Sequence, residues 1–273
     1  MQPFICYTCG VEYAESEAPP QRCLICDDER QYVGWNGQRW TTQAELIGGG
    51  RRNELRRVEP DLYSIGLEPS FAIGQRALLI VTPEGNVLFD CLSLLDDSTQ
   101  QAIASLGGIQ HICLSHPHFY GAMATWSRAF DGAAIHVPIA DRDFVTRPDK
   151  AIQWWDGQPL NLVTGVTLVQ TGGHFPGSAV VHWSAGAEGR GVLLVGDSIA
   201  VVPDRRYVSF MFSYPNLIPT SAATVRAIVA AVEPLDFDRI YGGWWQRDVM
   251  SAAKDAVHRS AERYVRMIEP PAS

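Results

Sequence analysis

The chain has 273 residues, a formal net charge of −8 and 46% hydrophobic residues, enough for one sizeable core with a small satellite. The acidic balance argues against a nucleic-acid partner, which needs a broad basic field to recruit phosphates. No basic segment followed by an apolar stretch opens the chain and no run of about eighteen apolar residues occurs, so a cytoplasmic protein acting on a small-molecule substrate, with no membrane partner, is expected.

The first signal in chain order is Cys6-x-x-Cys9 followed by Cys23-x-x-Cys26. Two such knuckles carry the thiolates of a four-cysteine metal site, with a pair of disulfides as the alternative. With Gly10 after the first pair and Ala18, Pro19 and Pro20 before the second, residues 1–32 resemble a zinc ribbon and the short rubredoxin-like modules of rubrerythrins. Leu24 stands where those modules carry a proline. So small a segment buries little core of its own, so a structural zinc that supplies folding energy is expected over a redox iron. The two other cysteines, Cys91 and Cys113, sit in apolar runs where buried free thiols are ordinary.

Residues 33–60 read as a connector. The ribbon is acidic through Glu12, Glu15, Glu17, Asp27, Asp28 and Glu29, whereas Arg51, Arg52, Arg56 and Arg57 make the connector basic. Solvated faces are the default reading of such runs, and docking of the two segments is the alternative. Gly48, Gly49 and Gly50 mark a flexible joint, because no Gly-Lys-Ser/Thr follows them.

Beyond residue 60 the apolar patterning predicts strands near 61–66, 76–82, 86–90, 109–115, 133–137, 166–171, 178–183, 191–196 and 238–241. Helices are predicted near 97–106, 120–130, 220–232 and 248–268, the last with Ala252, Ala256, Tyr264 and Met267 on repeating faces. Composition alone specifies a mixed α/β (α+β) domain over 61–273.

Within it, His116-Pro117-His118 places two imidazoles two residues apart after an apolar run. Pro117 disfavours helix at His116, so the pair, and Tyr120 with it, are expected on one face of an extended segment. A third histidine, His174, lies in the Gly/Pro turn Gly172–Ser178, and Asp197 ends the apolar run from Leu193. Strand-end positions of this kind collect ligands on one rim of a sheet.

In order and spacing these segments resemble the metallo-β-lactamase superfamily: its His-x-His-x-Asp-His motif, its Gly-His-x-Pro-Gly turn and its Gly-Asp after a strand. Val87–Asp90 resembles the family's early strand ending in Asp. The resemblance spans about residues 61 to 245 and implies an αββα sandwich. Tyr120 replaces the motif's Asp, Gly121 its second-site His, and Ile240–Trp245 resembles the strand and turn that supply the last ligand, with no His in it. The resemblance therefore implies a single metal ion in the cleft, held by His116, His118 and His174 with Asp197 as ligand or water-orienting group.

The reading that follows is a mononuclear zinc hydrolase of an ester, thioester, lactone or amide. The ion lowers the pKa of a bound water toward ~7 and polarises a carbonyl, with Asp197 and Tyr120 as catalytic residues. Trp244, Trp245, Arg205 and Tyr207 are expected to bind substrate, the aromatics as an apolar wall and Arg205 toward a carboxylate. Two alternatives stand beside it. An iron dioxygenase resembling the persulfide dioxygenases would use His116, His174 and Asp197, and a rubredoxin-like iron would favour it by giving electrons a route in. A non-catalytic metal-binding protein would close the coordination sphere. Because the rim and the ribbon use different ligands in different segments, they are expected to lose metal independently.

Overall fold

Seven strands follow one another across the first sheet in chain order: Arg52–Glu59, Leu62–Glu68, Ala77–Ile80, Val87–Phe89, His111–Cys113, Ala134–Pro138 and Ile152–Trp155. They belong to a computed structural model that describes residues 1–269. The chain divides into two compact units, one ending at Trp155 and one beginning at Asp156. The Cys-rich segment is part of the first unit, and the boundary falls inside the residues 61–273 expected as one domain.

The first four strands pair antiparallel and the last four parallel. Parallel neighbours need a crossover, and helices Asp97–Ser105 and Met123–Ala129 provide two of them. Asp96 caps the first, its carboxylate accepting the Thr99 N–H. Trp126 in the second is fully buried and donates its indole N–H to the Leu92 carbonyl at 3.1 Å. Ala77–Ile80 and Val87–Phe89 are buried at every position, as central strands covered on both faces require. The edge strand Arg52–Glu59 falls inside the expected connector, because its charges hide the strand pattern; its exposed Arg52, Arg56 and Arg57 line the sheet edge, where charge blocks further pairing.

The second unit carries a six-stranded sheet, again in chain order: Leu160–Val163, Val166–Gln170, Ala179–Trp183, Val192–Leu194, Arg239–Tyr241 and Asp248–Val249. Val192–Leu194 and Arg239–Tyr241 are its parallel pair, crossed over by helix Ala222–Val232. That helix buries Ala222, Val225, Ile228 and Val232, and helix Ala253–Ile268 buries Ala253, Ala256, Val257, Ser260 and Ala261. Both are single apolar stripes at helical spacing. The last helix starts later than the patterning predicts, since Asp248–Val249 pairs as a strand and Ala252 takes a left-handed turn with its N–H on Asp238. Met267 is exposed rather than on the buried stripe. Among the described residues no helix is long and apolar enough to cross a membrane.

One polar pair lies within the first sheet. His111 Nδ1 and His136 Nε2 sit 3.1 Å apart on adjacent strands, sharing one proton. Burial, with repulsion from His111, pushes His136 down to about 4, and burial lowers His111. A folded-state pKa below the unfolded value near 6.5 means that the unfolded chain binds the proton first as pH falls. Stability is then full above ~6.5 and is lost toward pH ~4, by on the order of 3 kcal/mol for His136. Urea titrations across that window should show a shallower acid limb for His136→Gln than for the parent protein; parallel limbs would exclude the assignment.

Candidate metal centres

The four ribbon cysteines converge. Ile5–Cys6 pairs with Trp40–Thr41, and the first knuckle closes with the Gly10 N–H on the Cys6 carbonyl at 2.9 Å. Gly10 is left-handed (φ +82°) and lies against Ser93, whose hydroxyl donates to its carbonyl at 2.7 Å. The second knuckle enters a single helical turn, Leu24–Asp27. All four Sγ atoms are buried and within 4.8 Å of one another, with Cys6–Cys26 at 3.5 Å and Cys9–Cys23 at 3.6 Å. Four sulfurs at about 2.3 Å from a tetrahedral zinc lie roughly 3.8 Å apart, so the cradle fits the ion. Each cysteine is a free thiol, which removes the disulfide alternative. Hydrogen bonds from Cys23 and Cys26 drive the Cys6 thiol well below its ordinary range, while burial holds Cys9 up. Gln38 Nε2 donates to Cys6 Sγ at 3.2 Å and the Tyr13 hydroxyl to Cys23 Sγ at 3.5 Å, as thiolate acceptors require.

This module docks on the first sheet through Glu12. Its buried carboxylate pairs with Arg147 Nη1 and accepts from the Thr125 hydroxyl at 2.9 Å. Its backbone N–H donates to the Gly121 carbonyl at 3.0 Å, and its carbonyl accepts from Thr146 at 2.7 Å. Glu15 adds a longer contact to Arg147.

Gly121 closes the His116–His118 loop. His116 is extended (φ −174°, ψ 169°), but Pro117–Phe119 forms a 3-10 turn, which corrects the expectation that both histidines occupy one extended face. Proline's fixed φ suits the first position of such a turn. The imidazoles meet across it, centroids 5.1 Å apart and planes at 76°. Ser115 Oγ lies 2.9 Å from His116 Nδ1 and its N–H donates to Asp90 Oδ1 at 2.7 Å, so Asp90 and Ser115 orient the ring and leave Nε2 as its ligating nitrogen. Tyr120 lies in the core of the first unit, not on an extended face. Its hydroxyl has no hydrogen-bond partner among the described residues, and burial with the Asp141 charge pushes its pKa well up. Gly121 is left-handed (φ +48°), and a Cβ there would stand 2.6 Å from the Cys91 carbonyl oxygen. The position of the motif's second-site His is therefore closed to any side chain.

The second unit brings His174 and Asp197 together. Gly172 and Gly173 are both left-handed, and a Cβ on Gly173 would strike Ile228 at 2.5 Å. Ser178 clasps the turn by accepting the Phe175 N–H at 2.8 Å. His174 Nδ1 is 3.2 Å from the Met211 carbonyl, and its Nε2 faces Asp197 Oδ2 at 3.8 Å. Two ligands at about 2.1 Å from one ion subtend roughly 3.4 Å, so this spacing suits shared coordination. Asp197 is held by Tyr214, whose hydroxyl donates to its carbonyl at 3.0 Å, and Ser198 ties the loop to Gly172 at 2.8 Å. Burial pushes the Asp197 carboxyl up to about 7.

Of the residues expected to bind substrate, Arg205 and Trp245 line one cavity in the second unit. Tyr207 is held by the Arg263 guanidinium, 3.8 Å over its ring, and Trp244 begins the turn that presents Trp245. Sequence reasoning misses Ser115 and the Met211 carbonyl, which lie on the Nδ1 atoms of His116 and His174. A backbone acceptor leaves no residue signature, whereas the adjacency of Ser115 to His116 is a signal that could have found it.

The chain is thus an α/β protein whose first unit presents His116 and His118, and whose second presents His174 and Asp197, as candidate metal ligands after strands of a mixed sheet. Residues 72–244 match the metallo-beta-lactamase superfamily, and the chain belongs to that superfamily. It is 49% identical over 269 residues to uncharacterized protein YmaE of Bacillus subtilis (strain 168), covering 98% of this chain and 97% of that one. The fold is also that of solved metallo-β-lactamases. FIM-1 from Pseudomonas aeruginosa, in a mono-zinc form, is 12% identical with a TM-score of 0.57, over 78% of this chain and 96% of that chain. A HARLDQ-motif enzyme from Cronobacter sakazakii is 18% identical with a TM-score of 0.51, over 77% and 90%.

The buried Glu12–Arg147 pair sets a test of docking. Glu12→Ala should destabilise the protein by about 3 kcal/mol, because buried Arg147 is left with only the half-exposed Glu15 as its charge partner, whereas Glu12→Leu with Arg147→Met should recover most of the loss. Equal midpoints for single and double variants in guanidinium melts would show that the pair is not coupled.

Proposed function

We propose that His116, His118, His174 and Asp197 bind one zinc ion and that the protein is a mononuclear metallohydrolase of a small ester, thioester, lactone or amide. Superfamily membership supports joining the two pairs, and the observation that carries the reading is the orientation of their rings. Ser115 at His116 Nδ1 and the Met211 carbonyl at His174 Nδ1 leave Nε2 on both as the ligating nitrogen. Zinc held there lowers the pKa of a bound water toward ~7 and polarises a substrate carbonyl. Asp197 completes the coordination or accepts a hydrogen bond from that water. The closed position at Gly121 supports one ion in preference to two.

The four-cysteine site is proposed to hold a second, structural zinc. Its sulfurs are buried, Cys26 being the most exposed at 2%, which favours a folding role over electron entry. Six free cysteines suit a reducing, cytoplasmic compartment.

Metal analysis of protein purified without added metal, followed by titration of the apo-protein, tests this. Two tight equivalents of zinc are expected, one from each site, and His174→Ala or His116→Ala should retain only the thiolate-bound one. A third tight equivalent would overturn the mononuclear assignment, and iron at the histidine site would favour the dioxygenase reading. Hydrolysis of an ester, thioester, lactone and amide panel by the zinc-loaded protein, lost in His174→Ala, identifies the substrate class.

A further inference from the structure

The turn that lacks the family's last histidine is built for another task. Gly242–Arg247 joins the strands Arg239–Tyr241 and Asp248–Val249, with the Gly242 N–H on the Arg247 carbonyl at 2.9 Å and the Arg247 N–H on the Trp244 carbonyl at 3.2 Å. Gly242 permits this closure, since a Cβ there would lie 2.7 Å from the Arg247 oxygen. The same Cβ would lie 3.6 Å from Val201, so the turn packs on the strand Ala200–Val201 that follows Asp197. Pro203, Arg205, Trp245, Gln246 and Arg247 together line a cavity of about 370 Å³.

Three features distinguish this cavity from an ordinary surface dent. Arg205 (φ +55°) and Gln246 (φ +62°) are both left-handed, a conformation that residues with a side chain hold when their surroundings impose it. Asp204, the carboxylate beside Arg205, is already taken by Arg206 at 2.7 Å, and neither Arg205 nor Arg247 forms an ion pair among the described residues. Finally, the turn and Asp197 leave the C-terminal ends of neighbouring parallel strands, linked by the Val195 N–H on the Tyr241 carbonyl at 3.0 Å. Ligands of α/β sheets collect at that rim.

We propose that this cavity receives an oxyanion, a carboxylate or phosphate group at one end of the substrate, between Arg205 and Arg247, with the adjoining flat or apolar part of the molecule against Trp245. The inference deepens the hydrolase reading and rests on it for the word substrate, whereas anion binding itself does not. Guanidinium groups suit the planar fork of a carboxylate and the oxygens of a phosphate, and an indole face suits a ring beside it.

Calorimetric titration of full-length His174→Ala, which lacks the rim metal, with benzoate, phenylphosphonate and neutral benzamide tests the site. At least one of the two anions should bind and benzamide should not; the anion that binds more tightly separates carboxylate from phosphate. Arg247→Ala and Arg205→Ala should each weaken the anion by about tenfold, and Trp245→Leu should weaken benzoate while leaving acetate unchanged. Benzamide binding as tightly as the anions, or no binding of either anion by His174→Ala whose far-UV dichroism and thermal melt match those of the parent protein, overturns the site. Intact zinc uptake in the parent protein alongside that failure would leave the hydrolase reading standing.

Discussion

Glu12 is the residue through which the small four-cysteine module and the first sheet become one unit. A carboxylate with 2% exposure is costly to bury unless fully partnered. Here Arg147 and Thr125 take its oxygens, while its own N–H and carbonyl are used by Gly121 and Thr146. The module's cysteines also share a core with Leu92, Tyr120, Met123 and Trp126. A segment of this size has little apolar surface of its own to drive folding, and a metal on its four thiolates would supply that energy. The His116–His118 loop therefore leans on a segment whose order depends on four thiolates. Loss of an ion from the four thiolates is therefore expected to disturb the His116–His118 loop, whereas loss of one from the histidines would leave Glu12 and its partners in place.

The same loop shows how steric closure shapes a donor set. Gly121 sits between the Glu12 N–H on one side and the Cys91 and Leu92 carbonyls on the other, and only hydrogen fits in place of a side chain. A His at this position would require the Asp90–Ser93 segment to move, and Asp90 in turn fixes Ser115 and, through it, the His116 ring. A side chain at Gly121 is thus coupled to the geometry of His116, so a single substitution there would disturb the orientation of that ring.

Much of this is legible in residue order. The two Cys-x-x-Cys knuckles, the Gly/Pro turn around His174 and the carboxylate after Leu194 each mark a local geometry that tertiary packing does not change. The patterned strands after residue 60 are equally clear, because central strands are continuous apolar runs. What stays hidden depends on partners far along the chain. Arg52–Glu59 carries charges on its edge and reads as a linker, although its backbone pairs in register with Leu62–Glu68. Glu12 looks like one acid in a solvated run, and its partner lies 135 positions away. Pro117 is incompatible with helix at His116, as expected, but its own fixed φ starts a 3-10 turn where the alternation of His116 and His118 suggests an extended segment.

Net charge is the least local of the signals, and it illustrates a limit of composition. A chain at −8 repels anions at long range, but that field is screened beyond about 8 Å at physiological ionic strength. Within such a distance the local arrangement governs. Arg205 and Arg247 lie in one cavity, and the nearest acid in sequence to Arg205, Asp204, is already engaged by Arg206. An acidic protein can accordingly refuse a polyphosphate backbone, which needs a broad basic surface, and still hold one small oxyanion. Discrimination by extent of charge rather than by its sign is what such a pair of guanidiniums beside an indole can offer.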